Sequence, residues 1–233
     1  MTVYLYQGTP GSGKSYHAIK DAVFKLKRGG NVIANFDIKV DKIKSKNLGN
    51  FYYVADEKLT PSFLLKFYKE NHTRNKEGQT LVIIDEAQCK FDPKDKRDNL
   101  RRSFCRFFSL HRKLGYNFIL ISQSDRLIDR QIRCNIEYSV MHRKLNNYKL
   151  LSLLPFTVFV CNERWYGSNL KLNTNYIIYS KKIAALYDTF KIFNISDLEE
   201  LKDNSLNKNR KNIDVFKPIV LNVPGSKEGV INE

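Results

Sequence analysis

The chain has 233 residues, 42% of them hydrophobic, enough to bury the core of one α/β domain with at most a small appendage. Its 40 Lys+Arg against 24 Asp+Glu leave a formal charge of +16. That favours a polyanionic partner, either nucleic acid or an anionic membrane surface, with a base-composition bias towards Lys and Asn as the competing explanation. Four scattered cysteines (Cys89, Cys105, Cys134, Cys161), with no C-x-x-C pair and no His at ligand spacing, exclude a disulfide framework and argue against a metal site.

Val3-Tyr4-Leu5-Tyr6 reads as a strand beginning too early for a secretory signal to precede it. Gly8-Thr9-Pro10-Gly11-Ser12-Gly13-Lys14-Ser15 follows and fits the phosphate-loop pattern G-x-x-x-x-G-K-[ST]. A helical pattern (Tyr16, Ile19, Val23, Leu26) comes next. Strand, loop and helix in that order are the context this motif requires. Glycines let backbone N–H groups turn inward around phosphates, and the new helix presents its positive end. Residues 8 to 16 are therefore the expected ATP site, with Lys14 on the β- and γ-phosphates and the Ser15 hydroxyl on Mg²⁺.

Gly29-Gly30 should end the helix, and residues 31 to 36 read as a second parallel strand. Residues 37 to 50 read as a Lys-rich polar connection and Phe51 to Ala55 as a short strand. A helix is expected from Pro61 to about Asn71. After the loop from Arg74 to Gln79, the run Leu81-Val82-Ile83-Ile84 is apolar on both faces, which suits a central parallel strand. Asp85 at its tip is placed to hold Mg²⁺, and Glu86 to polarise the attacking water.

From residue 97 to 114 a helical wheel puts Leu100, Phe104, Phe107, Leu110, His111 and Leu114 on one arc. Arg97, Arg101, Arg102, Arg106, Arg112 and Lys113 fall opposite, as a cationic stripe for single-stranded DNA or as a solvated face. Gly115 is the expected stop. A strand from Phe118 to Ser122 then carries Gln123 at its end, where an amide either senses the γ-phosphate or caps a helix. Ser124-Asp125 cap a short helix bearing Arg126, Arg130 and Arg133. Arg133 is the expected arginine that completes a neighbouring subunit's site, which implies a homo-oligomer, a ring being one form.

From Tyr138 to Tyr179, alternating stretches broken by Asn, Pro and Gly read as β-hairpins. The greasiest of them, Leu150 to Cys161, is too short to span a membrane and contains Pro155. A short helix is expected from Lys181 to Tyr187. The domain is expected to end near residue 194, with a polar, flexible tail from 195 to 233. The fold class is α/β: a P-loop NTPase with a mainly parallel sheet flanked by helices, plus a C-terminal hairpin region.

Several segments in order carry a resemblance. They are the phosphate loop, Asn31-Val32-Ile33-Ala34-Asn35, Ile83-Ile84-Asp85-Glu86-Ala87-Gln88, and His111-Arg112 before a strand ending Ser122-Gln123. Leu127-Ile128-Asp129, Ile132-Arg133 and Leu186-Tyr187-Asp188-Thr189-Phe190 complete the set. Together they resemble the zonular occludens toxin (Zot) family, which includes the gene I assembly proteins of filamentous bacteriophages, over roughly residues 1 to 190. The resemblance implies an ATPase that drives assembly and export of a filamentous virion, acting on single-stranded DNA and coat protein at the cytoplasmic membrane. It carries Lys14, Ser15, Asp85 and Glu86 over to the nucleotide site. Family members usually continue into a transmembrane helix and an external domain, and no such helix is legible here. The expected location is cytoplasmic, peripheral at the inner face of the membrane, with a separate membrane partner or as part of a longer protein. A DNA-packaging or DNA-translocating ATPase and a non-hydrolysing nucleotide-gated scaffold stay open beside this reading.

Overall fold

Strands whose side chains are buried on both faces have to lie inside a sheet that helices cover on each side. A computed structural model, describing residues 2–94, 98–147, 155–168 and 170–187, places two such buried runs, 80–84 and 118–122, side by side at the centre. In chain order its elements begin with β1 (Val3–Gln7), α1 (Lys14–Lys27), β2 (Asn31–Ala34), β3 (Phe51–Tyr53) and α2 (Pro61–Asn71). They continue with β4 (Thr80–Ile84), α3 (Ala87–Lys90), α4 (Asp98–Leu110), β5 (Tyr116–Ser122) and α5 (Arg130–Arg133). The last are β6 (Tyr138–Lys144), β7 (Val158–Trp165), β8 (Lys171–Ile178) and α6 (Lys181–Ala184). Residues up to Tyr187 belong to one unit. The expected domain end near 194, the polar tail, Arg97 and the stretch from Tyr148 to Leu154 lie outside the described residues.

The sheet runs β3-β2-β4-β5-β1-β6-β7-β8. Strands from β3 to β6 are parallel, and β7 and β8 are antiparallel. This is the P-loop NTPase fold with the expected hairpins, which extend the main sheet. Tyr138 in β6 pairs with Tyr4 in β1, and His142 faces Cys161 across β6 and β7. No helix among the described residues is long and apolar enough to cross a membrane.

On one face α1 buries Tyr16, Ile19, Val23 and Leu26, the residues its periodicity selects. Gly29, at φ 75°, ends that helix, and the Gly30 N–H bonds the Lys25 carbonyl as in a Schellman cap. The same core takes in Ile38 and Ile43, and Val40 is buried as well, so the segment after β2 is not merely a polar connection. Its apolar residues are spaced too widely to announce a strand or helix, yet they fold back over the sheet.

On the other face α2 and α4 cover β4 and β5. Thr60 caps α2, its Oγ1 accepting the Phe63 N–H at 3.2 Å. Phe108 stacks edge-on against Phe118 at 4.9 Å and Phe91 against Phe104 at 5.1 Å. Such pairs add about 0.5–1.5 kcal/mol beyond their buried area. The arc that α4 buries is rotated from the expected one: Phe108 is 1% exposed and Leu110 is 46% exposed. The helix also stops at Leu110, and turns lead to Gly115 at φ 79°. The expected single helix after β5 is two pieces: a 3-10 turn at Asp125–Leu127 capped by Ser124, and α5 capped by Asp129.

Candidate functional site

The carboxyl ends of the parallel strands gather the candidate residues. Because β5 separates β1 from β4, the end of β5 sits between the loop after β1 and the acid after β4. Loop and neighbouring strands are in close contact. Gly8, at φ 146°, leaves no room for a Cβ, which would lie 2.5 Å from the His142 carbonyl oxygen and 2.8 Å from Ser12 Oγ. At Gly13, φ 93°, a Cβ would lie 2.6 Å from the Phe159 ring. The hairpin strands β6 and β7 thus form the back wall of the loop, and the motif glycines are what let it fit.

Lys14 Nζ donates to the carbonyls of Gly8 at 2.8 Å and Thr9 at 3.1 Å. Its pKa is lowered by burial, against the opposing charges of Glu86 and Asp85. Ser15 Oγ donates to Asp85 Oδ2 at 3.0 Å. Burial raises the Asp85 pKa, while the Glu86 N–H, Ser15 and Lys14 pull it down. Two oxygen donors converging at one point, with a lysine beside them, fit a hard cation such as Mg²⁺ between Ser15 and Asp85. Ser12 Oγ is buried without a hydrogen-bond partner inside the cradle, a polar atom left over for a phosphate-loop ligand.

Glu86 is exposed, holds a left-handed conformation (φ 49°, ψ 45°) and accepts a hydrogen bond from the Gln88 side-chain amide. A non-glycine residue pays about 1–2 kcal/mol for that backbone region. Such strain clusters where a side chain must be aimed. Gln123 is exposed, and its backbone carbonyl accepts the Gly8 N–H at 3.4 Å, so its backbone borders the cradle.

One expected site residue points elsewhere, and another, expected to act on a neighbouring subunit, lies apart from its own subunit's cluster. The Tyr16 side chain is in the core: its hydroxyl accepts the Ser180 N–H at 2.8 Å and its ring packs on Phe159 and Tyr179. Helical geometry turns this position towards the sheet, leaving only its backbone near the loop. Arg133 does not join Lys14, Asp85 and Glu86 either. It lies five residues before β6 begins, beside Tyr166, whose hydroxyl it shares with Asp125. The leading side-chain charges on Lys14 are those of Glu86 and Asp85, and on Asp85 those of Glu86 and Lys14.

The chain as a whole has relatives among known proteins. The sequence fits the family described as Zonular occludens toxin (Zot) over residues 2–194. The chain belongs to the Zot family. Among curated Zot relatives, the gene 1 protein of Escherichia phage If1 is 28% identical over 152 residues, 63% of this chain and 42% of that protein. The gene 1 protein of Enterobacteria phage I2-2 is 28% identical over 213 residues, 83% of this chain and 58% of that protein. The chain spans about half the length of the curated relatives it matches. Among solved structures, one ATPase domain superposes with a TM-score of 0.51 at 13% identity. That match covers 78% of this chain and 82% of that one, and at this identity it shows the fold alone.

Other side chains that support the site are not singled out as site residues in the sequence. Asn35, just past β2, accepts the Asp85 N–H at 2.8 Å and donates to the Asp85 carbonyl at 2.9 Å, holding the acid's backbone from both sides. It also donates to Asp56 Oδ1 at 3.0 Å, and Asp56 meets the buried Lys90. Behind the loop, His17 and His142 touch, and burial pushes their pKa values down to about 4 and about 3. The thiol of Cys161 beside them is pushed up to about 12.

Proposed function

We propose that this domain binds ATP with Mg²⁺ on the loop from Gly8 to Ser15, hydrolyses it, and uses the cycle to move single-stranded DNA and coat protein during assembly of a filamentous phage. The observation that carries the hydrolytic half is the Ser15–Asp85 hydrogen bond of 3.0 Å with Lys14 and Glu86 on either side. When bound, Mg²⁺ supplies charge neutralisation on the phosphates. Ser15 Oγ and Asp85 would hold it. Lys14 exchanges its loop carbonyls for phosphate oxygens, and backbone N–H groups of the loop face the same charge. Glu86, free of the core, takes the proton of the attacking water.

The transport half rests on family membership, phage relatives and a formal charge of +16. A positive charge opposite Lys14 would come from an arginine of a neighbouring subunit in a homo-oligomer, Arg133 being the candidate, since a phosphoryl-transfer transition state is stabilised by such a charge. The test is ATP turnover at graded protein concentrations, with Lys14→Ala as control. Turnover per subunit should fall on dilution to monomer, and Lys14→Ala should bind no fluorescent ATP analogue. Constant turnover in a demonstrated monomer contradicts the oligomer, and tight nucleotide binding by Lys14→Ala contradicts the site.

A further inference from the structure

We propose that His17, His142 and Cys161 form a second cation site, for Zn²⁺ or a similarly soft divalent ion, that staples the β6–β7 hairpin to α1 behind the phosphate loop. One ligand atom from each residue lies within 4.8 Å of the other two. The residues come from three different elements, with His142 and Cys161 directly opposite each other on the antiparallel pair and so on one face of the sheet.

The hydrogen bonds around the two rings orient them for a metal. His142 Nδ1 faces two acceptors, the carbonyls of Val140 at 3.0 Å and Gln7 at 3.3 Å, so Nδ1 carries the proton and Nε2 keeps its lone pair. That Nε2 points at His17 Nδ1, 2.9 Å away. His17 Nε2 in turn faces the Asp21 carboxylate at 3.6 Å, which the Tyr6 hydroxyl holds at 2.6 Å. If His17 Nδ1 carries the proton between the rings, its Nε2 lone pair is left against a carboxylate. If Nε2 carries it, two lone pairs meet between the rings. A cation there resolves both conflicts for a neutral His17: His142 Nδ1–H donates to backbone oxygen, His17 Nε2–H faces the Asp21 carboxylate, and each inner nitrogen ligates, close to the usual arrangement of metal-bound histidines.

Two imidazoles and one thiolate suit Zn²⁺ and leave nothing for Mg²⁺, which takes oxygen. Zn–N bonds of about 2.0–2.1 Å around a tetrahedral centre set two nitrogens about 3.3 Å apart, so the rings need open by only a few tenths of an ångström. The fourth position is filled by water from an open cleft of about 580 Å³ that reaches His17, Tyr6 and Asp21. On binding, Cys161 releases its thiol proton to solvent and the sulfur's electron pair goes to the metal. Because the His142 carbonyl and the Phe159 ring wall the phosphate loop, the metal would fix that wall in place.

The test uses the full chain carrying Cys89→Ser, Cys105→Ser and Cys134→Ser, which leaves Cys161 as its single cysteine. After chelator treatment it is titrated with Co²⁺ and then Zn²⁺. One equivalent of Co²⁺ should give tetrahedral ligand-field absorption with a thiolate-to-cobalt band, and Zn²⁺ should displace it and raise Tm. His17→Gln in the same background should weaken Zn²⁺ binding at least about 10-fold, as expected for loss of one of three ligands. No thiolate band, a stoichiometry near zero, or unchanged affinity in the His17→Gln protein would each overturn the proposal, and none of these readouts depends on ATP turnover.

Discussion

A single amide does much to place the acid that the phosphate site depends on. Asn35 satisfies both backbone groups of Asp85 and reaches Asp56, so it ties the end of β2 to the end of β4 at the level of the phosphate loop. Replacing it with alanine leaves the Asp85 N–H and carbonyl unpaired, at a cost of about 1–3 kcal/mol for each buried group left unsatisfied. Asn35→Ala should therefore lower unfolding free energy in urea by at least about 1 kcal/mol and reduce ATP turnover, because Asp85 loses its fixed backbone. A stability equal to wild type would show that water replaces the clamp. Asp85 was legible because an apolar run breaks into acid without transition. Asn35 reads only as part of a strand from 31 to 36, and the register that sets Ala34 opposite Ile83 gives it its partner.

Helix α4 shows where periodicity is informative and where it stops. Its apolar face was legible in outline, but the arc is rotated towards Phe108 because that ring packs on Phe118, a tertiary contact with no sequence signature. The rotation changes the reading of the cationic stripe. Arg101 is 17% exposed with its Nε 3.6 Å from Asp129 Oδ2, and Arg112 donates to Glu137 Oε1 at 2.7 Å. Arg102, Arg106 and Lys113 remain exposed. Charge reversal should accordingly divide the stripe. Arg102→Glu with Arg106→Glu should keep the fold and weaken single-stranded DNA binding, with the log–log salt slope shallower by about 0.7 for each phosphate no longer neutralised. Arg101→Glu should instead destabilise the fold, by setting like charges against Asp129. Unchanged DNA affinity and slope in the double variant would reduce the exposed residues to a solvated surface.

At the level of the whole molecule, all four histidines are pulled below their usual pKa by burial: His17 to about 4, His142 to about 3, and His72 and His111 in the same direction. A base with a depressed folded pKa takes up its proton in the unfolded chain first, so its contribution is complete above about pH 6.5 and is lost as pH falls. Asp21, raised to about 6, works in the opposite sense, as do Asp56 and Asp85. With His17 and His142 each shifted further than Asp21, Tm of the chelator-treated protein should fall from pH 7.5 to 5, and a flat or rising Tm by calorimetry would contradict these burial assignments. None of this was readable in advance, because four isolated histidines acquire their surroundings only when distant strands pair. The strand order was equally hidden, whereas the phosphate loop and acid-tipped strand announced the fold class by local pattern alone. The central claim is that this arrangement hydrolyses ATP with Glu86 as the base. The direct measurement is single-turnover ATP hydrolysis by Glu86→Gln at saturating nucleotide beside wild type. ATP affinity should be unchanged and turnover lower by about 10²-fold or more, and hydrolysis at the wild-type rate would contradict the claim.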